Sequence, residues 1–528
     1  MTTKLALKKN PFWIALLLYG FAGVLLFKAR LHFIHPDGIS YISIAEKYAN
    51  GNFYEALNKC WAVLISWLIA IPLLFGCAPL WAAKMVTLGI GAFALLAARA
   101  FAETFDLPRR FKFLMLLALV PAFLSYAFQR VGPDLLLCGF LLFYLSVFFK
   151  KDYLSRPANA VFCGIWGAAA YYAKHYALPF FMVHFFCIHL GFLINSSADE
   201  RKKIVYRWAA GTGVFLILIL PWCGALSLKY GTIATAATGP AVFDWKLGGP
   251  HGGGYPYSYP YEDQGFFAPS NATAVSFWED PTDVKLESWS PLDSKESFRH
   301  FLQWIRHNFW LTRKFIRGFS PLSPWIFAVS CAALLSTFFS KRVALLRWRL
   351  GGLLFTAALN IAGFLLLKVE DRYFYILPVF LMVLCGLILC EIYKRGSIRR
   401  QWVQKLVECG LLFSFAFPAA VNLKNMMIYP DYFPMAKKMS EYGIRGKIAS
   451  NADWANSLIL AYYLGSHYYG KTAPGMAPAG IAKELERWKI DYYLVWKEKG
   501  SPFIPMPPVK AFKKFEDSGI EVYEIKPA

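Results

Sequence analysis

Eleven mainly apolar stretches divide the chain, at about 11–31, 79–101, 111–129, 134–150, 158–176, 178–195, 208–229, 322–339, 350–368, 373–393 and 402–420. Each approaches the roughly 20 residues that a helix needs to cross a hydrocarbon core of ~30 Å. Stretch 60–76 reads equally as a further span or as a helix lying in the interface. Lys and Arg cluster at every second junction. They include Lys4, Lys8 and Lys9, then Arg109, Arg110 and Lys112, then Lys150, Lys151 and Arg156, then Arg201, Lys202 and Lys203. Later come Lys341, Arg342, Arg347 and Arg349, then Lys394, Arg395, Arg399 and Arg400. Basic loops stay cytoplasmic. One orientation satisfies every cluster: N-terminus inside, with segments 32–78, 230–320 and 421–528 outside.

The outer segments have finer patterns. Ile39, Ile42, Ala45 and Ala49 recur at helical spacing, with Glu46 and Lys47 opposite, and predict a short helix on the membrane surface. Segment 295–312 predicts a second surface helix leading into the eighth span. Beyond 421, strands are expected at 447–450, 491–496 and 520–525, with helices at 456–464 and 481–488. The predicted fold is mainly α: a polytopic bundle over 1–420, with outer loops 32–78 and 230–320, and a small extracytoplasmic α/β domain over 421–528.

Composition agrees, with 57% hydrophobic residues among 528 and a mean hydropathy of +0.40. The formal charge of +23 would suit nucleic acid, but the basic residues occupy short junctions rather than one face. Anionic membrane lipid is the expected partner, and nucleic acid is not. The first stretch is long and aromatic and lacks a small-residue cleavage site, so it reads as a span and not as a cleaved signal. The ten cysteines lie almost wholly in apolar segments and show no disulfide or zinc spacing. They read as small apolar residues; no cofactor is expected, and a divalent metal is possible but not favoured.

Ionisable groups near membrane depth are costly and raise a functional question. Four places stand out, all on the predicted outer side. In His35-Pro36-Asp37-Gly38, Asp37 either caps the following helix or stands at a cavity mouth as a general base. In Arg130-Val131-Gly132-Pro133-Asp134, Asp134 either starts the fourth span or lines the same cavity. Lys174, in Tyr171-Tyr172-Ala173-Lys174-His175-Tyr176, either snorkels to the interface or meets a phosphate. Arg372, in Lys368-Val369-Glu370-Asp371-Arg372-Tyr373, is either neutralised by Glu370 or Asp371 or makes a bidentate phosphate contact.

These residues resemble the GT-C superfamily of integral-membrane glycosyltransferases, in particular its protein-mannosyltransferase and aminoarabinose-transferase branch. The resemblance rests on Asp37-Gly38-x-x-Tyr41 with Ala45, on Pro133-Asp134, on Lys174, and on Arg372-Tyr373 with Pro378. It implies a polyprenyl-phosphate sugar donor and an inverting transfer to a hydroxyl of a glycan, lipid or protein. It implies Asp37 as catalytic base and Asp134 as a residue shaping the site. Lys174, Arg372 and His175 would hold the donor phosphate, with Tyr41, Glu370 and Tyr373 near a sugar. A bacterial inner or plasma membrane fits this chemistry. Many members carry a second acidic residue where this chain has Gly38, so a paired-carboxylate or metal mechanism is not expected.

Loop 230–320 combines aromatic residues with Asp244, Glu262, Asp263, Glu279, Asp280 and Asp283. It reads either as a sugar-binding surface or as a partly folded cap. Its Gly/Pro-rich piece His251–Pro260 suits a mobile lid, and Asn271-Ala272-Thr273 fits a glycosylation sequon. Two other function classes compete. A transporter or flippase of a lipid-linked saccharide predicts internal repeats, and the sequence has none. A non-catalytic polysaccharide-assembly protein leaves Asp37 without a task.

Overall fold

Helices stand at all eleven apolar stretches. The computed structural model describes residues 12–236, 265–281, 289–339, 344–426, 431–499, 503–505 and 507–527. Lys4, Lys8, Lys9, Asp244, His251–Pro260, Glu262, Asp263, Asp283, Lys341 and Arg342 lie outside them. The membrane module comprises α1 (Phe12–Arg30), α2 (Pro36–Ala49), α3 (Phe53–Ala56), α4 (Leu64–Leu74), α5 (Pro79–Glu103) and α6 (Arg109–Gln129). It continues through α7 (Asp134–Phe148), α8 (Pro157–Ala173), α9 (Ala177–Ile194) and α10 (Ala198–Tyr230). It closes with α11 (Lys295–Phe319), α12 (Ser323–Thr337), α13 (Ala344–Leu365), α14 (Leu377–Lys394) and α15 (Gln401–Met426).

Among the described residues eight helices are long and apolar enough to cross a membrane. A ninth span results if α11 and α12, bent by 99°, count as one. Three of the eleven stretches fall short of the expected length, since α7, α8 and α12 have 15, 17 and 15 residues. Most of α7 is buried among its neighbours, so its length answers to protein and not to lipid. At 1.5 Å per residue α4 rises only about 16 Å, too little to cross.

The predicted surface helix α2 is instead enclosed. Every residue from Pro36 to Ala45 is buried. The amphipathic reading placed Lys47 on an exposed polar face. Its side chain is 2% exposed and forms a 2.7 Å ion pair with Glu279, itself 4% exposed. The partner lies 232 residues away, which no local pattern reveals. Glu279 is further bound by the Asn271 amide at 3.0 Å, and Asp280 accepts from the Tyr230 hydroxyl at 2.5 Å. These two carboxylates, grouped above with a sugar-binding surface, tie the loop to the bundle, and Asn271 of the sequon is committed to the same tie.

The C-terminal domain holds α16 (Phe433–Glu441), β1 (Lys447–Ser450), α17 (Trp454–Tyr463), β2 (His467–Lys471), α18 (Pro478–Arg487), β3 (Tyr492–Trp496), β4 (Val509–Asp517) and β5 (Ile520–Pro527). The sheet order is β2-β1-β3-β5-β4. Strand β1 runs parallel to both neighbours, and β5 is antiparallel to β3 and β4. Helix α17 packs on the sheet face carrying Ile448 and Leu494, and α18 on the face carrying Ala449, Tyr493 and Val495. Strands β2 and β4 are additions to the sequence reading. Gly470 interrupts the first at φ +109, and alternating charge disguises the second.

Loop residues 265–281 run along the free edge of β2. The Phe267 amide donates to the Tyr469 carbonyl, and the Tyr468 amide to the Val275 carbonyl, each at 2.7 Å. The loop then crosses to α2, so sheet, loop and α2 form one stack.

Removing one member of a buried ion pair leaves an uncompensated charge. Glu279→Ala should therefore cost about 3 kcal/mol of stability, read as a fall in unfolding temperature. The Lys47→Met/Glu279→Met double variant should recover most of it. A double variant as unstable as the single would contradict the pairing.

Candidate active site

The first outer segment sets up its own helix start. His35 is the N-cap of α2, and its Nδ1 accepts from the Asp37 amide at 3.5 Å. Pro36 fits the first turn because its missing N–H would be unpaired there. The capping role considered for Asp37 thus falls to His35, and the Asp37 carboxylate is free to turn elsewhere. The Trp278 indole donates to Asp37 Oδ1 at 3.2 Å, and Arg372 Nη1 donates to Oδ2 at 2.9 Å.

Arg372 gathers three carboxylates. Besides Asp37, its Nε lies 2.7 Å from Glu370 Oε2 and 3.6 Å from Asp134 Oδ2. Asp134 begins α7 and forms an ion pair with Lys174 at the end of α8. The Lys174 ammonium also sits 3.7 Å from the Tyr373 ring centroid, a cation–π contact. Glu370 pairs with Lys368 and, at 3.6 Å, with Arg130. Lys174 does not snorkel outward but turns in to Asp134, whereas Arg372 is neutralised as one reading had it, by Glu370, with Asp37 beside it. Tyr41 is buried, edge-on to Trp61 at 5.3 Å.

Electrostatics follow from this geometry. Burial alone would raise the Asp37 carboxyl, but the Arg372 guanidinium outweighs it and holds Asp37 well below the usual carboxylate range. The same contest, with Arg372 and Lys368 on the winning side, holds Glu370 low. Burial pushes the Lys174 ammonium down, and Asp134 only partly restores it. Burial, then the charges of Asp134 and Asp37, push the Tyr41 phenol well up.

His175 stands apart. Its ring packs against Tyr171 at 5.3 Å, and its Nε2 is buried without a hydrogen-bond partner among the described residues. Burial lowers its pKa to about 4. A neutral ring there adds no positive charge beside Lys174.

Sequence reasoning missed several participants. Trp278 offers no local signal, because its partner is 241 residues away. Arg130 was visible only as a neighbour of Asp134. Arg30 and Lys84 form a second buried cationic pair at the same end of the bundle. Lys84 donates to the Phe128 carbonyl at 3.2 Å, and the Arg30 guanidinium lies 4.1 Å from the Phe33 ring centroid. A lysine inside an apolar span was the available signal. The basic junctions mark the other end, where Asp106 joins Lys151 at 2.9 Å and Arg349 at 3.1 Å. Among the described residues no group of three or more His, Cys, Asp or Glu is arranged to hold a metal ion, and all ten cysteines are free.

A buried neutral His175 has a consequence with a definite sign. Its folded pKa lies below the unfolded value of about 6.5, so between those values the unfolded chain binds more protons. Stability should fall as pH drops through that window. Asp37 and Glu370 act only lower: their contribution is complete above about 4 and is lost as pH falls through their depressed folded values. His35, likewise lowered to about 4, shares the first stage. Unfolding temperature should decline in these two stages, and His175→Gln should shrink the first without removing it. A first stage of unchanged size in that variant would assign it to other groups.

No protein-family profile matches the chain, and no curated protein matches it by sequence. Solved structures do. ArnT from Cupriavidus metallidurans bound to undecaprenyl phosphate superposes with a TM-score of 0.56 at 12% identity, covering 97% of each chain; its apo state gives 0.56 at 13% identity, again covering 97% of each. The archaeal oligosaccharyltransferase AglB from Archaeoglobus fulgidus, in complex with an inhibitory peptide and a dolichol-phosphate, gives 0.52 at 12% identity. That match covers 93% of this chain and 70% of AglB. With eight candidate spans among the described residues, a five-stranded C-terminal sheet and these neighbours, the chain shares the overall fold of ArnT and AglB.

Proposed function

We propose that the chain transfers a sugar from a polyprenyl-phosphate donor to an acceptor hydroxyl, with inversion, on the extracytoplasmic side of its membrane. The observation that carries this reading is Asp37. It is a buried carboxylate from the first outer segment, held by Arg372 from a distant one, on a fold shared with two proteins solved with polyprenyl-type phosphates. In the reaction, the acceptor oxygen bonds to the anomeric carbon as the bond from that carbon to the phosphate oxygen breaks. The acceptor proton passes to Asp37, and the polyprenyl phosphate leaves with the electron pair.

Arg372 gives this scheme a coupling. Paired with Arg372, Asp37 is a weak base. A lipid phosphate arriving beside Arg372 and Lys174 competes for the guanidinium and ammonium. As the phosphate draws Arg372 away, Asp37 loses its counter-charge, and its basicity rises. Donor binding therefore switches on the base. Asp134, bound to Lys174 and near Arg372, positions both cations. Glu370 holds Arg372 from the opposite side, and Tyr373 supports Lys174. The orientation follows from the basic junctions at the far end, which belong in the cytoplasm. The scheme uses no divalent metal.

Asp37→Asn should lower transfer about a thousandfold, the scale of a lost general base, with donor binding retained. Arg372→Ala and Lys174→Ala should weaken donor binding in a titration with labelled polyprenyl-phosphate sugar. Full transfer in Asp37→Asn, or unchanged donor affinity in both cation variants, would remove the assigned roles. A chelator should leave the rate within about twofold, and its loss would overturn the metal-free scheme.

A further inference from the structure

The C-terminal domain contains a crevice that the site above does not use. In a doubly wound sheet, ligands bind beyond the carboxyl ends of parallel strands, where successive connections leave for opposite faces. Strands β1 and β2 are adjacent and parallel. The connection after β1 passes through α17 on one face, and the connection after β2 through α18 on the other. Their loops must diverge at the carboxyl ends of the two strands. A cavity of about 690 Å³ opens there, lined by Asp453 after β1, by Lys471, Thr472 and Ala473 at the end of β2, and by Tyr493 and Lys499 from β3 and its following turn. That volume lies within the usual range of small-ligand sites.

The lining fits a polyhydroxylated ligand. Asp453 and Lys499 bring a carboxylate and an ammonium together at 2.5 Å, and Thr472 and Tyr493 join their hydroxyls at 2.5 Å. Sugar hydroxyls both donate and accept, so they can bridge such groups. The Phe503 ring packs on Tyr493 at 4.8 Å between centroids and also lines the cavity. Such an apolar wall suits the C–H face of a pyranose. Asp453 holds a left-handed backbone, φ 48 and ψ 60, a conformation that costs energy in a non-glycine residue and is concentrated at functional sites.

The crevice is also wired to the first site. Asp453 is followed by Trp454, whose ring meets Trp278 edge-on at 5.4 Å, and Trp278 donates to Asp37. We propose that the crevice is a saccharide-binding subsite that holds part of a glycan acceptor beside the catalytic module. This rests on the glycosyltransferase reading for the word acceptor, but not for saccharide binding itself.

The test uses full-length protein in detergent on a printed array of defined oligosaccharides. Wild type and Asp37→Asn should bind the same subset of glycans. Ala473→Trp, which fills the crevice, and Lys471→Ala/Lys499→Ala, which strips its cations, should each lose at least tenfold of that signal. Both should still bind labelled polyprenyl-phosphate sugar as wild type does, which controls for folding. No array signal in wild type, equal signal in both crevice variants, or loss confined to Asp37→Asn would each overturn the proposal. Failure of the glycosyltransferase reading shows separately, as absence of transfer by a wild type that still binds the array.

Discussion

The buried charges at one end of this molecule hang on one guanidinium. Charges near a hydrocarbon layer are expensive unless they are matched where they stand. Arg372 meets Asp37 from the segment after α1, Asp134 from the start of α7 and Glu370 from its own turn. Lys174, Lys368 and Arg130 balance the remaining negative charge. The ends of α1, α6, α7, α8 and α13 are thereby fixed to one another by electrostatics as well as by apolar packing. That accounts for carboxylates and cations appearing together on segments so far apart in the chain.

How much of this was legible in the sequence depends on the range of each interaction. Helices at the apolar stretches were legible, because a span is written in consecutive residues. The charges of the cluster were legible one at a time, because each is anomalous for its place: Asp37 and Asp134 at span boundaries, Lys174 and Arg372 against the inside-positive bias. Their pairing was not, since Asp37 and Arg372 are 335 residues apart. Helix α2 shows the limit most clearly. Its apolar stripe was read correctly, but the polar face was assigned to water because Glu279 could not be seen to cover Lys47. Neighbours in sequence also part company: the His175 ring packs on Tyr171, while the adjacent Lys174 turns to Asp134.

The C-terminal domain is more than an appendage by the same measure. The Tyr463 hydroxyl donates to the His32 carbonyl, and His32 stacks on Phe433 at 3.8 Å. Loop 265–281 extends the sheet at one edge and supplies Trp278 at the other. Sheet, loop and α2 are therefore in continuous contact, and two indole rings, Trp454 and Trp278, link the C-terminal domain to Asp37.

Gly38 carries a last consequence. A methyl group there would stand 3.1 Å from Val131 Cβ and 3.3 Å from Ile34 Cγ1, so α2 lies hard against the turn that precedes α7. A larger residue at that place would need Val131 or Ile34 to give by a few tenths of an ångström. With glycine there, Asp37 keeps an aromatic N–H on one oxygen and a guanidinium on the other, and its fellow acids, Asp134 and Glu370, reach it only across Arg372.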